Sequence, residues 1–238
     1  DTDDDNIPKA GWGWPETSGA FETTAEDLGF INVYRAFTRE PIWPRGFPLE
    51  RIKLPEAEPA KGQPKQVKIG IWQGLADGDP DVDAIYRLTS DAPCYFDGRP
   101  PLVLGAGTWS PFNSQNTMFV RELFPLLYLP AFVTFRFTDI LRGLIAQPIL
   151  WAAGYNLGFT SATVVQERNP HNYLKDFESE LPCYLLVQQV ADTVAATVRS
   201  GASIADNLVS SYEALLSRGV VKPEELRALH AWLLDLEA

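Results

Sequence analysis

The sequence predicts an α/β fold that ends in a helical tail, and two contrasting patterns along the chain indicate it. Short runs of β-branched and aromatic residues, typical of strands, alternate with longer segments of helical period up to about residue 170. From Asn172 onward only the helical period remains. With 238 residues, 45% of them hydrophobic, the chain can bury one substantial core and carry an appended helical part.

The first part of the chain is predicted to contain strands at residues 31–37, 67–75 and 159–165. Residues 118–129 have a helical period that ends at Pro130, and residues 138–155 read as a buried helix that tolerates Pro148 only as a kink or break. Residues 55–65 are small and polar, and we expect them to form a flexible connection.

Three helices are predicted in the tail, at about residues 172–199, 203–217 and 223–236. Ser200-Gly201 and Gly219 separate them. Pro223 followed by two glutamates is typical of a first helical turn, because proline has no amide to leave unbonded there and carboxylates favour the positive helix end.

Charge argues against a nucleic-acid partner, and hydropathy argues against a membrane-spanning segment. The 20 basic and 31 acidic side chains give a net charge of −11, which repels nucleic-acid backbones, so no nucleic acid is expected. The richest apolar stretch, residues 123–137, is interrupted by two prolines and Arg136, so no membrane span is expected within the chain. Residue 1 is not methionine, so the natural start is expected upstream. Cys94 and Cys183 leave the redox compartment open.

An acidic run opens the chain, with carboxylates at Asp1, Asp3, Asp4 and Asp5. Carboxylates this close repel one another, so the run is expected either in open solvent or around a hard cation such as Mn²⁺ or Mg²⁺. A cation held there could neutralise the diphosphate leaving group of a nucleotide sugar.

Aromatic and cationic residues nearby suit the same chemistry. Trp12 and Trp14 could hold a sugar or a base against their faces, or could pack in the core. Arg45 follows Pro44 and precedes Gly46, in a stiff loop where its planar fork suits phosphate. Its alternative is a structural stack on a neighbouring aromatic ring.

Further candidates lie in three polar segments. Asp77 and Asp79 could line a donor or acceptor cleft, although the segment also suits a turn before a helix. Residues 105–117 are rich in amides and hydroxyls that could read sugar hydroxyls, or could bond among themselves; the candidates are Asn113, Gln115 and Asn116.

Two further residues are candidates for acid–base or metal chemistry. Asp139 could act as a base or cap the helix that follows it. His171 could be a third metal ligand or could cap the next helix.

Taken in order, these segments resemble the STELLO-type glycosyltransferases of the Golgi. The similar segments are residues 1–6 (DTDDDN), 72–84 (WQGLADGDPDVDA), 111–117 (PFNSQNT) and 166–169 (QERN). The resemblance runs from residue 1 to about 181, which divides the chain into a glycosyltransferase-like domain, 1–181, and a helical tail, 182–238. It implies a GT-A-like, Rossmann-like fold whose nucleotide-binding strands precede residue 1, so that the chain alone is expected to be catalytically incomplete. A Golgi lumen location would follow for a eukaryotic source with an upstream anchor.

A more distant resemblance is to the reversibly glycosylated polypeptides, the plant UDP-arabinopyranose mutases. Their aspartate triplet corresponds to residues 3–5, and their glycosylated arginine corresponds to Arg45 in the segment RGFP. Their Tyr-Asp-Asp segment resembles residues 137–139, where Thr138 replaces one carboxylate and puts a mutase role in doubt. Their late histidine falls on Val164 here, so a third metal ligand would have to come from elsewhere, as from His171.

The sequence as a whole therefore predicts a metal-dependent glycosyltransferase that moves a sugar from a nucleotide donor, with UDP expected, to a glycan or protein acceptor. Asp3 and Asp5 would hold the cation, Arg45 would steady phosphate or sugar, and Asp139 would act near the anomeric carbon. Two alternatives stay open: a mutase or self-glycosylating protein that carries the sugar on Arg45, and a non-catalytic interaction module that binds through its tail.

Overall fold

A computed structural model describes residues 1–55, 59, 61–90 and 92–237, in which a mixed β-sheet packs against α-helices. The strands are β1 (Asn6–Pro8), β2 (Ser18–Thr24), β3 (Gly29–Phe30), β4 (Lys61–Gly78), β5 (Leu102–Val103), β6 (Thr108–Trp109), β7 (Thr117–Phe119) and β8 (Asn156–Gln166). The helices are α1 (Ala84–Thr89), α2 (Thr138–Ala152), α3 (Tyr173–Thr197), α4 (Ile204–Ser217) and α5 (Pro223–Glu237).

The long strand β4 organises the sheet. Its first half pairs with β2 in antiparallel fashion, and its second half pairs with β8 in parallel and with β7 antiparallel. Strand β5 lies between β2 and β8, while β3 and β6 pair separately. Because β4 and β8 are parallel and end together, at Gly78 opposite Gln166, the segments that follow both strands emerge at one edge of the sheet. That edge is where open α/β sheets usually bind ligands.

The acidic run reaches the same edge through β1. Asn6 pairs with Gln166, the last residue of β8, and the Glu167 amide donates to the Asp5 carbonyl at 3.2 Å. The predicted strands at 67–75 and 159–165 are confirmed, and both are longer than expected.

Helix α2 is buried on every side from Ile140 to Leu150, which is the pattern of a helix inside the core. It runs through Pro148 without a break and ends at Ala152. The predicted buried helix is therefore confirmed, and Pro148 does not end it.

On the sheet, the fully buried Trp72 ring covers Gly158, where a β-carbon would collide with the ring.

The three tail helices are confirmed, and they are integral to the fold. Helix α3 packs against α1 and α2, helix α4 against α2 and α3, and helix α5 against α4. The carboxylate of Glu225, fully buried at the start of α5, accepts bonds from the Tyr128 hydroxyl and from the Ala131 and Phe132 amides. A hydrogen-bonded buried carboxylate thus fixes the tail to the loop before α2.

Some local predictions are wrong. In place of a strand at 31–37, Val33–Ala36 form a 3₁₀ helix, because the Asn32 side chain accepts from the Tyr34 amide and turns the chain. In place of a helix at 118–129, Met118 lies in β7 and Arg121–Leu127 form a 3₁₀ helix around Pro125. Residues 61–65 of the expected flexible connection belong to β4, while 56–58 and 60 lie outside the described residues.

Both cysteines are buried free thiols. Across the described residues, no helix combines the length and apolar character needed to cross a membrane.

Candidate functional site

A cavity of about 310 Å³ lies at the edge where β4 and β8 end. Six of the residues singled out in the sequence line it: Asp3, Asp5, Arg45, Gln115, Asp139 and His171. Its other lining residues are Asp4, Asp81, Ser114, Leu129, Phe135, Arg136, Thr138, Gln166, Arg168 and Asn169. Acidic, basic and apolar side chains from distant parts of the sequence therefore meet in one place.

The acidic run is held on the cavity wall by its backbone and its neighbours. The Asp3 amide donates to the Gln115 carbonyl at 2.9 Å, and the Gln166 side chain donates to Asp5 Oδ1 at 3.0 Å. Removal from water and, to a smaller extent, the nearby carboxylates of Asp81, Asp5 and Asp139 together raise the pKa of the Asp3 carboxyl to about 6, against the opposing effect of Arg45. The Asp3 carboxyl thus lies partly buried among other carboxylates.

Arg45 belongs to the cavity lining but is almost completely buried. Its guanidinium, 5% exposed, bonds to Asp81 from Nε at 2.9 Å and to Asp139 from Nη1 and Nη2 at 2.9 and 2.8 Å. Nη1 also donates to the Arg136 carbonyl. Burial by itself lowers the pKa of Arg45, but the charges of Asp139 and Asp81 outweigh it and hold the pKa well above its usual value.

The loop that carries Arg45 is packed tightly on α2. Gly46 has φ of +82°, the left-handed region, and a β-carbon at this position would collide with Ile140. The glycine that follows Arg45 is therefore required by the backbone conformation and by the close approach of the helix.

Asp139 occupies the first turn of α2, with both of its carboxylate oxygens engaged. Oδ1 accepts from Arg45 Nη1 and from the Ile140 amide at 3.0 Å, and Oδ2 accepts from Arg45 Nη2 and from the Ser114 amide at 3.2 Å. To take up a proton, Asp139 would have to give up part of this arrangement.

Two arginines in the cavity carry no assigned role in the sequence analysis. Arg136 pairs with the buried Glu180 through Nη2 at 2.8 Å, and Arg168 pairs with Asp79 through Nε at 2.7 Å. Burial lowers the pKa of Arg168; the Asp81 charge raises it, and the charges of Arg136 and Arg45 lower it further. The only available signal was their position: Arg168 lies two residues after the end of β8, and Arg136 three residues before Asp139.

The sequence is similar to one family of known proteins. Residues 136–238 match the family model described as STELLO glycosyltransferases. Over 214 residues, 87% of this chain, the sequence is 28% identical to two Arabidopsis thaliana proteins named "Probable glycosyltransferase STELLO1" and "Probable glycosyltransferase STELLO2". The resemblance to STELLO-type glycosyltransferases is confirmed. The chain spans about 28% of the length of each of these relatives, and the matched range of the family model includes the tail helices.

Several residues proposed to bind substrate lie outside the lining of the cavity. Trp12 and Trp14 contact each other edge to face, and Trp14 packs beside the buried Trp72. The two tryptophans are close to the acidic run in the sequence but not in space. The Lys9 amide donates to the Thr163 carbonyl at 2.9 Å, so the chain after the acidic run continues along β8 and away from the cavity.

The carboxylates that follow β4 are engaged in structural pairs. Asp77 is buried, pairs with Lys9 at 2.6 Å and accepts from the Phe96 amide at 2.9 Å. Asp79 pairs with Arg87 and Arg168. Both carboxylates hold neighbouring segments together, and neither is among the residues that line the cavity.

The amide-rich segment divides in a similar way. Asn113 is buried and donates to Asp81 Oδ2 at 2.6 Å, and Asn116 has no exposed surface and donates to the Thr163 hydroxyl at 2.7 Å. Only Gln115, of the three amides proposed, lines the cavity.

The proposed metal ligands come near one another without forming a three-ligand site. Among the described residues, no group of three His, Cys, Asp or Glu side chains is arranged to hold a metal ion. His171 Nδ1 bonds Asp176 Oδ2 at 2.8 Å, which ties the imidazole to the start of α3. Any cation at Asp3 and Asp5 would therefore complete its coordination with oxygens from substrate or water.

Proposed function

We propose that this chain supplies the cation-binding and acceptor-binding part of a glycosyltransferase that uses a nucleotide diphosphate sugar, with UDP as the nucleotide. The observation that carries the proposal is the meeting of the acidic run with Arg136 and Arg168 in one cavity. Such a cavity offers carboxylate oxygens for a cation and guanidinium groups for phosphate oxygens. The likeness to the STELLO glycosyltransferases supports the reaction class.

The donor set fits Mn²⁺ or Mg²⁺. Asp3 and Asp5 present hard oxygen ligands on one wall, and the Gln166 side chain orients the Asp5 carboxylate. The raised pKa of Asp3 reflects burial first and then the negative charge of Asp81, Asp5 and Asp139, which Arg45 only partly offsets. A bound cation would offset that charge further and stabilise the charge that develops on the diphosphate.

We assign the phosphate contacts to Arg136 and Arg168 and a supporting role to Arg45. All three arginines line the cavity, but the Arg45 nitrogens are taken up by Asp81, Asp139 and the Arg136 carbonyl. The pairs with Glu180 and Asp79 engage Nε and Nη2 of Arg136 and Nε of Arg168. Arg45 then acts by fixing Asp139 and the turn that carries Arg136. This replaces the direct contact to phosphate or sugar that the sequence suggested for Arg45.

Transfer breaks the bond between the anomeric carbon and the β-phosphate oxygen and forms a bond to an acceptor hydroxyl oxygen, whose proton must pass to a base. Asp139 lines the cavity and could receive the proton only by releasing one of its hydrogen bonds from Arg45, Ser114 or Ile140. Unchanged turnover in Asp139→Asn would remove it from the mechanism.

Self-glycosylation on Arg45 is not favoured by these contacts. A guanidinium nitrogen that attacks a sugar must be accessible and free of strong hydrogen bonds, and Arg45 is buried and ion-paired on both sides. Intact-protein mass spectrometry after incubation with UDP-sugars checks this, because a hexose or pentose mass on Arg45 would restore the mutase alternative.

The proposal is tested by calorimetric titration of the chain with Mn²⁺ and pyrophosphate, a probe that needs only the cation and phosphate contacts. We expect Mn²⁺-dependent binding of pyrophosphate in the wild type and its loss in Asp3→Asn/Asp5→Asn. The control is Glu26→Gln/Asp97→Asn, which removes the same charge from exposed carboxylates outside the cavity. Absence of binding in the wild type would favour the interaction-module alternative.

A further inference from the structure

One wall of the cavity is apolar and unusually open to solvent. Leu129 and Phe135 line it with 43% and 87% of their surfaces exposed, and Phe132, which lies between them in the sequence, is also exposed. A phenylalanine this exposed forgoes the free energy that burial of its ring would contribute. Exposed apolar patches next to polar residues commonly mark binding sites.

The exposed side chains are carried on a backbone that is fixed from both sides. Before Phe135, the buried Glu225 accepts from the Ala131 and Phe132 amides, each at 2.9 Å. Around Phe135, the Thr134 hydroxyl donates to the Ser179 carbonyl at 2.6 Å and the Arg136 amide donates to the Ser179 hydroxyl at 3.2 Å. Helices α3 and α5 therefore hold the backbone that carries Phe135 at the cavity rim.

We propose that Phe135, with Leu129 beside it, is the platform on which a sugar ring of a carbohydrate acceptor binds. This inference rests on the proposed function, because it places the acceptor next to the cation and phosphate contacts. One face of a pyranose ring presents mainly C–H groups, which pack on an aromatic ring, while its hydroxyls point outward to polar partners.

The surroundings of Phe135 suit a neutral, hydroxylated ligand. Thr138, Ser114, Gln115 and Asn169 line the same cavity and offer hydroxyl and amide groups to sugar hydroxyls. A lipid bilayer or an apolar protein surface laid over the patch would cover these groups and the neighbouring carboxylates without bonding them, which is costly. The acidic run would also repel an anionic membrane or an acidic peptide.

Saturation-transfer NMR on the wild-type chain tests the inference, with neutral tetrasaccharides of glucose, galactose, mannose and xylose as probes. We expect transfer from aromatic protons to at least one tetrasaccharide, and an affinity about fivefold weaker in Phe135→Ala. Phe135→Trp should retain binding because it keeps an aromatic face. Tyr95→Ala is the matched control, since Tyr95 is 64% exposed and lies outside the cavity.

The outcomes separate this inference from the proposed function. Binding of Mn²⁺ with pyrophosphate should be unchanged in Phe135→Ala. If it is, and no tetrasaccharide binds the wild type or Phe135→Ala binds as well as the wild type, the acceptor platform is refuted and the donor site stands. If tetrasaccharide binding depends on Phe135 while Mn²⁺ and pyrophosphate do not bind the wild type, the platform stands without the donor site. Wild-type binding to phosphatidylcholine vesicles that Phe135→Ala abolishes, with no sugar binding, would assign the patch to a membrane and overturn the inference.

Discussion

Arg45 and Asp139 face each other through two parallel hydrogen bonds, Nη1 to Oδ1 at 2.9 Å and Nη2 to Oδ2 at 2.8 Å. The pair joins a loop near the start of the chain to the first turn of α2, 94 residues later. Because Arg45 also bonds Asp81, one guanidinium holds in place two carboxylates that line the cavity.

Replacement of Arg45 should be strongly destabilising. Arg45→Met leaves Asp81 and Asp139 without their shared cation, and we expect a loss of about 3–5 kcal/mol in the free energy of unfolding. Arg45→Lys keeps the charge but loses the forked geometry, so it should fall between Arg45→Met and the wild type. Urea denaturation measures both. Arg227→Lys, in an exposed pair with Glu224, is the control and should change little. A wild-type midpoint in Arg45→Met would contradict the role assigned to this pair.

Gly46→Ala should destabilise through two separable effects. The left-handed backbone conformation alone costs about 1–2 kcal/mol for an L-residue, and the new β-carbon also meets Ile140. Gly154→Ala shares a φ near +80° but meets no atom within 4 Å, so it measures the backbone cost alone. We expect thermal unfolding to show Gly46→Ala as the more destabilised of the two, and equal values would mean that the loop can move away from α2.

Asp83 should make the folded protein less stable as pH rises from about 4 to 6. Burial raises the pKa of its carboxyl from 3.8 to about 6, against the opposing hydrogen bonds from Trp43 and the Tyr86 amide. The folded state therefore binds this proton more tightly than the unfolded state. Its stabilising contribution is present below pH 4 and is lost as pH approaches 6, by roughly 3 kcal/mol.

Asp83→Asn isolates this effect, because asparagine is also a good helix N-cap residue and does not titrate. The slope of unfolding free energy against pH between 4 and 6 should be less negative in the variant. Asp97→Asn, at an exposed carboxylate, should leave the slope unchanged. Parallel curves for Asp83→Asn and the wild type would show that Asp83 ionises normally.

Glu225→Gln should loosen the connection between α5 and the loop before α2. A carboxamide has one acceptor oxygen, so at least one of the Ala131 and Phe132 amides loses its partner, at a cost of about 1–3 kcal/mol. Hydrogen exchange at these two amides should accelerate. The neighbouring Glu224→Gln, at an exposed position, is the matched control, and equal exchange in the two variants would exclude a role for Glu225.

The parts of the fold that follow from local patterns were predictable. The tail helices have a sustained helical period, and Pro223, Glu224 and Glu225 mark the last helix start. Residues 67–75 of β4 and 159–165 of β8 are rich in apolar or β-branched residues, whereas the start of β4 at 61–65 is polar and gave no strand signal. The segment at 31–37 has the same apolar composition, but the side-chain bond from Asn32 turns it into a 3₁₀ helix, which composition does not reveal.

The site was predictable only in part, because it depends on pairing between distant strands. The parallel register of β4 with β8 brings Arg168 beside Asp81 and the acidic run, and no local pattern indicates that register. Trp12 and Trp14 are the opposite case. They are close to the acidic run in the sequence, which suggested that they share its site, but β1 and the chain after it carry them elsewhere.

Helix α3 holds Thr134 and Arg136 through Ser179 and Glu180, and α5 holds the loop at Ala131 through Glu225. The structure of the cavity rim therefore depends on the tail helices. A chimera that takes its tail helices from a relative should fold with an ordered rim only if residues 128–136 come from the same parent, whereas the acidic run can come from either.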